Sequence, residues 1–157
     1  MSGILVIGYG NTLRGDDAAG VRAAELLGSR VDGLDVVIVT DLSLELAEPI
    51  SHRDHVIFID ASAAGDSVSL RIIDGKTPPP AVTTHTSSPW ALLEVSGKIY
   101  GRRPRRTILA TIPGDTFDLG ETLSERTTLL VEECVSTLQR EILKLRESAG
   151  TEPERSP

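Results

Sequence analysis

Short apolar runs of strand length alternate along this chain with segments whose apolar residues recur every three or four positions. The runs predict five strands, at residues 4–7, 34–39, 56–59, 67–73 and 107–112. The segments with helical spacing predict four helices, at residues 21–31, 42–50, 88–101 and 122–145. Alternating strands and helices with strands this apolar predict an α/β fold, with a mostly parallel sheet covered by helices on both faces.

Local signals at the element ends refine this prediction. Ser88 followed by Pro89 is typical of a helix start, with the serine as N-cap and the proline in the first turn. The run Thr-Leu-Ser-Glu at 122–125 predicts a capping box that begins the longest helix. Three consecutive prolines within residues 75–86 predict an extended connection there.

The length of 157 residues fits one domain with a sizeable core, and no repeat or linker divides it. We expect this domain to span residues 1–147. Residues 148–157 are almost without apolar side chains and are expected to form a disordered tail.

Charge and cysteine content narrow the function classes. A net charge of -7 argues against a nucleic-acid partner, because phosphate binding needs a basic face. The four arginines at 102, 103, 105 and 106 are interpreted as a solvated rim or as a contact for an acidic peptide. The single cysteine, Cys134, lies on the apolar stripe of a helix and is predicted to be a core residue. With no membrane span or signal peptide predicted, we expect a cytoplasmic protein that does not bind a membrane.

Aspartates follow three of the predicted strands. Asp16 and Asp17 come after the glycine-rich turn behind the first strand, Asp41 after the second and Asp60 after the third. The carboxyl ends of parallel strands meet at one edge of a sheet, where open α/β folds place their ligands, so these carboxylates can converge. Taken singly, Asp16 is equally consistent with a helix N-cap and Asp41 with a turn residue.

His85 lies in the run TTHTSSP, just before the helix that starts at Ser88. Two carboxylates and one imidazole are a common set of ligands for a divalent ion that keeps positions open for substrate or water. A dinucleotide site is excluded at the glycine turn, because Leu13 occupies the third glycine position and the acidic pair would repel a pyrophosphate.

The chain resembles the hydrogenase maturation endopeptidases, which trim the C-terminus of the large subunit of nickel-iron hydrogenases. Three motifs carry the resemblance: GYGNTLRGDDAAG at 8–20, HVIFIDAS at 55–62 and TTHTSSP at 83–89. The resemblance implies a three-layer α/β/α sandwich around a five-stranded sheet. It also implies that Asp17, Asp60 and His85 bind metal, with nickel presented by the precursor; whether the isolated protein keeps a metal stays open.

The function expected from this resemblance is an aspartic-type endopeptidase that removes the C-terminal extension of a nickel-loaded large-subunit precursor. Asp17 and Asp60 are the expected catalytic residues, one of which orients or deprotonates the attacking water. We expect a monomer whose partner is this precursor. Two alternatives stay open: a non-catalytic module that checks a partner for nickel, and a small-molecule hydrolase on the same fold.

Overall fold

The computed structural model describes residues 3–74 and 87–151, with side chains as far as Ser148, and shows an α/β fold of five strands and four helices. The strands are β1 (Ile4–Tyr9), β2 (Leu34–Val39), β3 (His55–Ser62), β4 (Ser69–Ile73) and β5 (Arg106–Pro113). The helices are α1 (Ala19–Arg30), α2 (Ala47–Ser51), α3 (Pro89–Tyr100) and α4 (Glu125–Thr151). All nine elements lie where the hydrophobic pattern predicts them.

The sheet is mixed and mostly parallel, with the strand order β2-β1-β3-β5-β4. Strands β2, β1, β3 and β5 run parallel, whereas β4 pairs antiparallel with β5. Only residues 63–68 connect β3 to β4, too few for the crossover that a parallel strand needs. The prediction of a five-stranded, mostly parallel sheet is confirmed.

Two hydrophobic clusters form the core, because successive residues of the central strands point to opposite faces. Ile4 and Val6 of β1 join the cluster that packs against α1 and α4. Leu5 and Ile7 join the cluster that packs against α2 and α3. Central strands covered on both sides are typical of parallel sheets and explain the unbroken apolar runs in the sequence. In the described part of the chain, no helix is long and apolar enough to cross a membrane.

Helix ends agree with the sequence at α3 and differ at α4. The Ser88 Oγ accepts a hydrogen bond from the Ala91 N–H, with Pro89 in the first turn, as predicted. The predicted cap at Thr122 is wrong: α4 begins at Glu125, and the Ser124 Oγ accepts from the Thr127 N–H at 3.3 Å. Ser124 is held there by a buried carboxylate described below.

The C-terminal helix is also longer than the sequence predicts, since α4 continues to Thr151. The domain boundary at residue 147 stays a prediction, and residues 152–157 lie outside the described residues. The proline-containing connection at 75–86 lies outside them as well.

Cys134 is fully buried in the cluster between the sheet and α4, which confirms its assignment to the core. Burial, aided by the charge of Glu133, raises the pKa of its thiol to about 12. We expect Cys134→Ala to lower the free energy of unfolding by about 1 kcal/mol, the effect of one small buried group. In the parent, we expect the thiol to react with a thiol reagent only when denaturant is present. Rapid labelling of the native protein would contradict this.

Candidate active site at the carboxyl edge of the sheet

A tight turn between β1 and α1 carries the two adjacent aspartates. Both lie in a 3-10 turn, Gly15–Ala18, which leads directly into α1. Gly10 begins the connection with φ of +147°, and a Cβ there would lie 2.1 Å from the Asp17 carbonyl oxygen. Only glycine fits this position, so the second glycine of the GYGN motif is a requirement of the backbone path.

A second glycine brings this turn against the end of β3. A Cβ at Gly20, in the first turn of α1, would lie 2.2 Å from the Ile59 carbonyl oxygen and 3.0 Å from the Asp60 Cα. The first turn of α1 therefore packs against the backbone of Ile59 and Asp60 in β3. Asp17 and Asp60 are both half-buried at this edge.

Asp17 is held by a short chain of hydrogen bonds from the preceding loop. Its Oδ2 accepts from the Asn11 N–H at 2.7 Å, and the Asn11 Oδ1 accepts from the Leu13 N–H at 2.9 Å. Within residues 3–74 and 87–151, the other oxygen of Asp17 accepts no hydrogen bond. Asp17 is thus oriented on one side and available to a ligand on the other.

The neighbouring Asp16 has the opposite environment. Its carboxylate is fully buried and accepts four hydrogen bonds, at 2.7 to 3.0 Å, from the N–H groups of Asp115, Thr116 and Ser124 and from the Ser124 hydroxyl. Burial alone would raise the pKa of Asp16, but these bonds outweigh it and lower the pKa to about 2. Asp16 therefore attaches the turn Gly15–Ala18, which we call the carboxylate turn, to the connection between β5 and α4.

Asp60 has a partner that the sequence did not reveal. Tyr9, the last residue of β1, is close enough to form a side-chain hydrogen bond with Asp60, and its ring packs edge-on against Phe58. Burial first, and then the Asp60 carboxylate, raise the pKa of the Tyr9 hydroxyl well above its usual range, so it is a donor at neutral pH. The register places Gly8 opposite Ile59, which brings the next residue of each strand together.

The structure tests the predicted convergence of the aspartates and His85 only in part. Asp41 lies just beyond β2, beside β1, with an exposed side chain. His85 lies outside the described residues. Among the residues that the structure does describe, no three His, Cys, Asp or Glu side chains are grouped to hold a metal ion. The metal site of Asp17, Asp60 and His85 stays a prediction.

Comparison with known proteins decides the family. No protein-family profile matches the chain. The hydrogenase 2 maturation protease of Escherichia coli (strain K12) is 31% identical over 157 residues, covering 92% of this chain and 92% of that protein. The chain belongs to the hydrogenase maturation protease family. It is therefore a peptidase, and so a hydrolase, by membership.

Solved structures agree with this assignment. The [NiFe] hydrogenase maturation protease HycI from Thermococcus kodakarensis KOD1 has a TM-score of 0.69 and 30% identity, covering 90% of this chain and 92% of that one. The hydrogenase maturating endopeptidase HybD from E. coli has a TM-score of 0.72 over 93% of both chains; at 24% identity it supports the fold alone.

Within this protease, sequence reasoning identified the carboxylate turn but not how its two aspartates differ. The donors to Asp16 come from residues between 99 and 108 positions away along the chain. No local sequence pattern predicts such a contact. The interaction of Tyr9 with Asp60 had a usable signal, since Tyr9 follows Gly8 and Asp60 follows Ile59, and Gly8 and Ile59 are opposite each other in neighbouring parallel strands.

Proposed function

We propose that this protein is an aspartic-type endopeptidase that removes the C-terminal extension of a nickel-loaded [NiFe]-hydrogenase large-subunit precursor. Membership of the hydrogenase maturation protease family supports the reaction class. The observation that supports an active site at the carboxyl edge of the sheet is the contrast between Asp16 and Asp17. Asp16 is fully used by the fold, whereas Asp17 keeps an oxygen for a ligand and lies in the turn before α1, whose first turn packs against the backbone of Asp60.

The proposed binding residues for the precursor's nickel are Asp17, Asp60 and His85. Carboxylate and imidazole groups suit a borderline divalent ion, so the donor set fits nickel. The metal arrives with the substrate and is not a resident cofactor in this proposal. Its binding would seat the cleavable bond over the carboxylates, which makes nickel the signal for cleavage.

Hydrolysis then needs an oriented water molecule. Asp17 or Asp60 accepts a proton from that water as its oxygen attacks the peptide carbonyl carbon. The same proton can pass to the leaving amine when the C–N bond breaks, which leaves a new carboxyl terminus and a free peptide. The Asn11 N–H donates to Asp17, and the Tyr9 hydroxyl interacts with Asp60, which supports a fixed orientation for both carboxylates.

The same proposal includes the finer architecture and setting. We infer a three-layer α/β/α arrangement, supported by the two separate clusters that α1 and α4, and α2 and α3, form with the sheet. The protein is proposed to act as a cytoplasmic monomer, with neither nucleic acid nor membrane as partner. Its net charge of -7 and its one buried thiol support this setting.

The deciding experiment uses nickel-loaded and nickel-free forms of a large-subunit precursor encoded near this gene. Each is incubated with the purified protein and analysed by intact mass. We expect the nickel-loaded form alone to lose its C-terminal extension. A stable complex without a mass change would identify a nickel-checking module instead, and no interaction with either form would refute the proposal.

Tyr9→Phe tests how Asp60 is positioned. Loss of the hydroxyl leaves Asp60 freer to rotate, so we expect kcat for precursor cleavage to fall several-fold. The aromatic packing on Phe58 is kept, so the free energy of unfolding should change by no more than about 1 kcal/mol. Cleavage kinetics and urea unfolding on the same preparation check both. A parental kcat in Tyr9→Phe would show that the hydrogen bond has no role in positioning.

A further inference from the structure

Two exposed leucines, Leu13 and Leu119, directly precede a pair of bridged residues next to the carboxylate turn. Arg14 and Gly120 form an isolated parallel bridge, reinforced by hydrogen bonds from the Gly15 N–H to the Gly120 carbonyl and from the Gly120 N–H to the Leu13 carbonyl. Leu13 and Leu119 directly precede the two bridged residues, so their backbones are neighbours, and we call them the leucine pair.

Both residues of the leucine pair are exposed. Leu13 is 54% and Leu119 is 81% accessible, although each directly precedes a residue fixed by the bridge. A single exposed leucine needs no explanation, but two on neighbouring, ordered backbone present a small apolar surface to a partner. The pair is also continuous with the site, because the Leu13 N–H bonds to Asn11, whose own N–H bonds to Asp17.

Acidic residues predominate in the segments at the carboxyl edge of the sheet. Residues 10–18, 40–46, 60–68 and 114–124 contain nine acidic residues and one basic residue, Arg14. Two of the nine are already used within the protein, because Asp16 is buried and Asp115 forms an ion pair with Arg126. Asp118 and Glu121 are exposed on either side of Leu119. A partner that docks here gains from carrying basic side chains around an apolar one, because complementary charge speeds encounter and fixes orientation.

We propose that the leucine pair is the docking contact for the hydrogenase precursor, engaging a precursor segment that presents an apolar side chain flanked by lysine or arginine. This inference rests on the proposed function and deepens it. Docking at Leu13 and Leu119 would place the bound segment close to Asp17, because hydrogen bonds through Asn11 connect Leu13 to Asp17.

The test compares the double variant Leu13→Ala/Leu119→Ala with Ile99→Ala/Leu143→Ala. The control residues are 70% and 60% exposed, on α3 and α4, so both variants lose two exposed apolar side chains. We expect the leucine-pair variant to raise KM for nickel-loaded precursor about tenfold with a nearly unchanged kcat, as lost ground-state binding requires. The control should match the parent, and all three proteins should melt together. Equal KM values in the two double variants would overturn the proposal.

The charge component has its own readout. Raising the salt from about 50 to about 300 mM should increase KM for the parent, and Asp118→Asn/Glu121→Gln should reduce that increase. A KM that does not change with salt would contradict the proposed lysine or arginine side chains in the precursor segment. If the parent cleaves nothing, the proposed function fails, and the dissociation constant of the precursor is measured instead. Tighter binding to the parent than to Leu13→Ala/Leu119→Ala would then still support docking at the leucine pair. Equal binding to both proteins would refute the docking proposal as well.

Discussion

Asp17→Asn is expected to lower the rate of precursor processing by about 100-fold or more, the range for loss of a group that acts on the reacting water or binds the metal. The amide keeps the shape of the carboxylate and can still accept from the Asn11 N–H through its oxygen. It loses the negative charge that a divalent ion and a water proton both need. Removing a charge beside Asp16 also relieves repulsion, so the melting temperature should be unchanged or slightly higher.

Asp60→Asn should behave in the same way, and Asp66→Asn provides a matched control. Asp66 follows the same strand but its side chain is exposed. A gel-shift processing assay and thermal melts on the same samples separate activity from folding. Parental processing by Asp17→Asn would mean that this carboxylate only starts a helix, and the chemical basis of the proposed site would be lost.

Asp16→Asn is expected to act on stability rather than directly on chemistry. The buried carboxylate accepts four hydrogen bonds, and an amide would turn a donor toward at least one of those donors. We expect the free energy of unfolding to fall by about 2–4 kcal/mol, the usual cost of unsatisfied groups around a buried charge. For a domain of this size the melting temperature should drop by about 5–15 °C.

The same residue gives the protein a defined response to acid. The pKa of Asp16 is about 2 in the folded protein against an ordinary value of 3.8, so its stabilisation is complete above about pH 4 and is lost as the pH falls through 2. Denaturant unfolding between pH 2 and pH 6 should show the gap between parent and Asp16→Asn closing in that window. A constant gap would contradict the role given to the carboxylate.

Asp16 and Asp17 are adjacent residues of the same type, yet substitution is expected to affect stability at Asp16 and precursor processing at Asp17. This contrast separates the features that a sequence predicts from those that it does not. The nine strands and helices were predictable because apolar spacing is a local property, and Ser88-Pro89 was predictable because a cap and its helix are neighbours. The antiparallel direction of β4 follows from the short connection before it, once its pairing with β5 is known.

Two features that the sequence did not predict involve distant partners. Thr122 satisfies the local capping pattern as well as Ser124 does, but Asp16 selects Ser124 by accepting from both its N–H and its hydroxyl. The division of roles between Asp16 and Asp17 depends on that same contact across 108 positions. The placement of His85 and its part in the metal site stay predictions.

The attachment of the first turn to the start of α4 has a consequence for the newborn chain. A ribosome delivers residues 10–18 long before residues 115–124, and until these arrive the Asp16 carboxylate has no donors to meet. The carboxylate turn is therefore ordered only after the last strand has emerged. We expect nascent fragments that end before residue 115 to have no ordered carboxylate turn and to be inert toward the precursor.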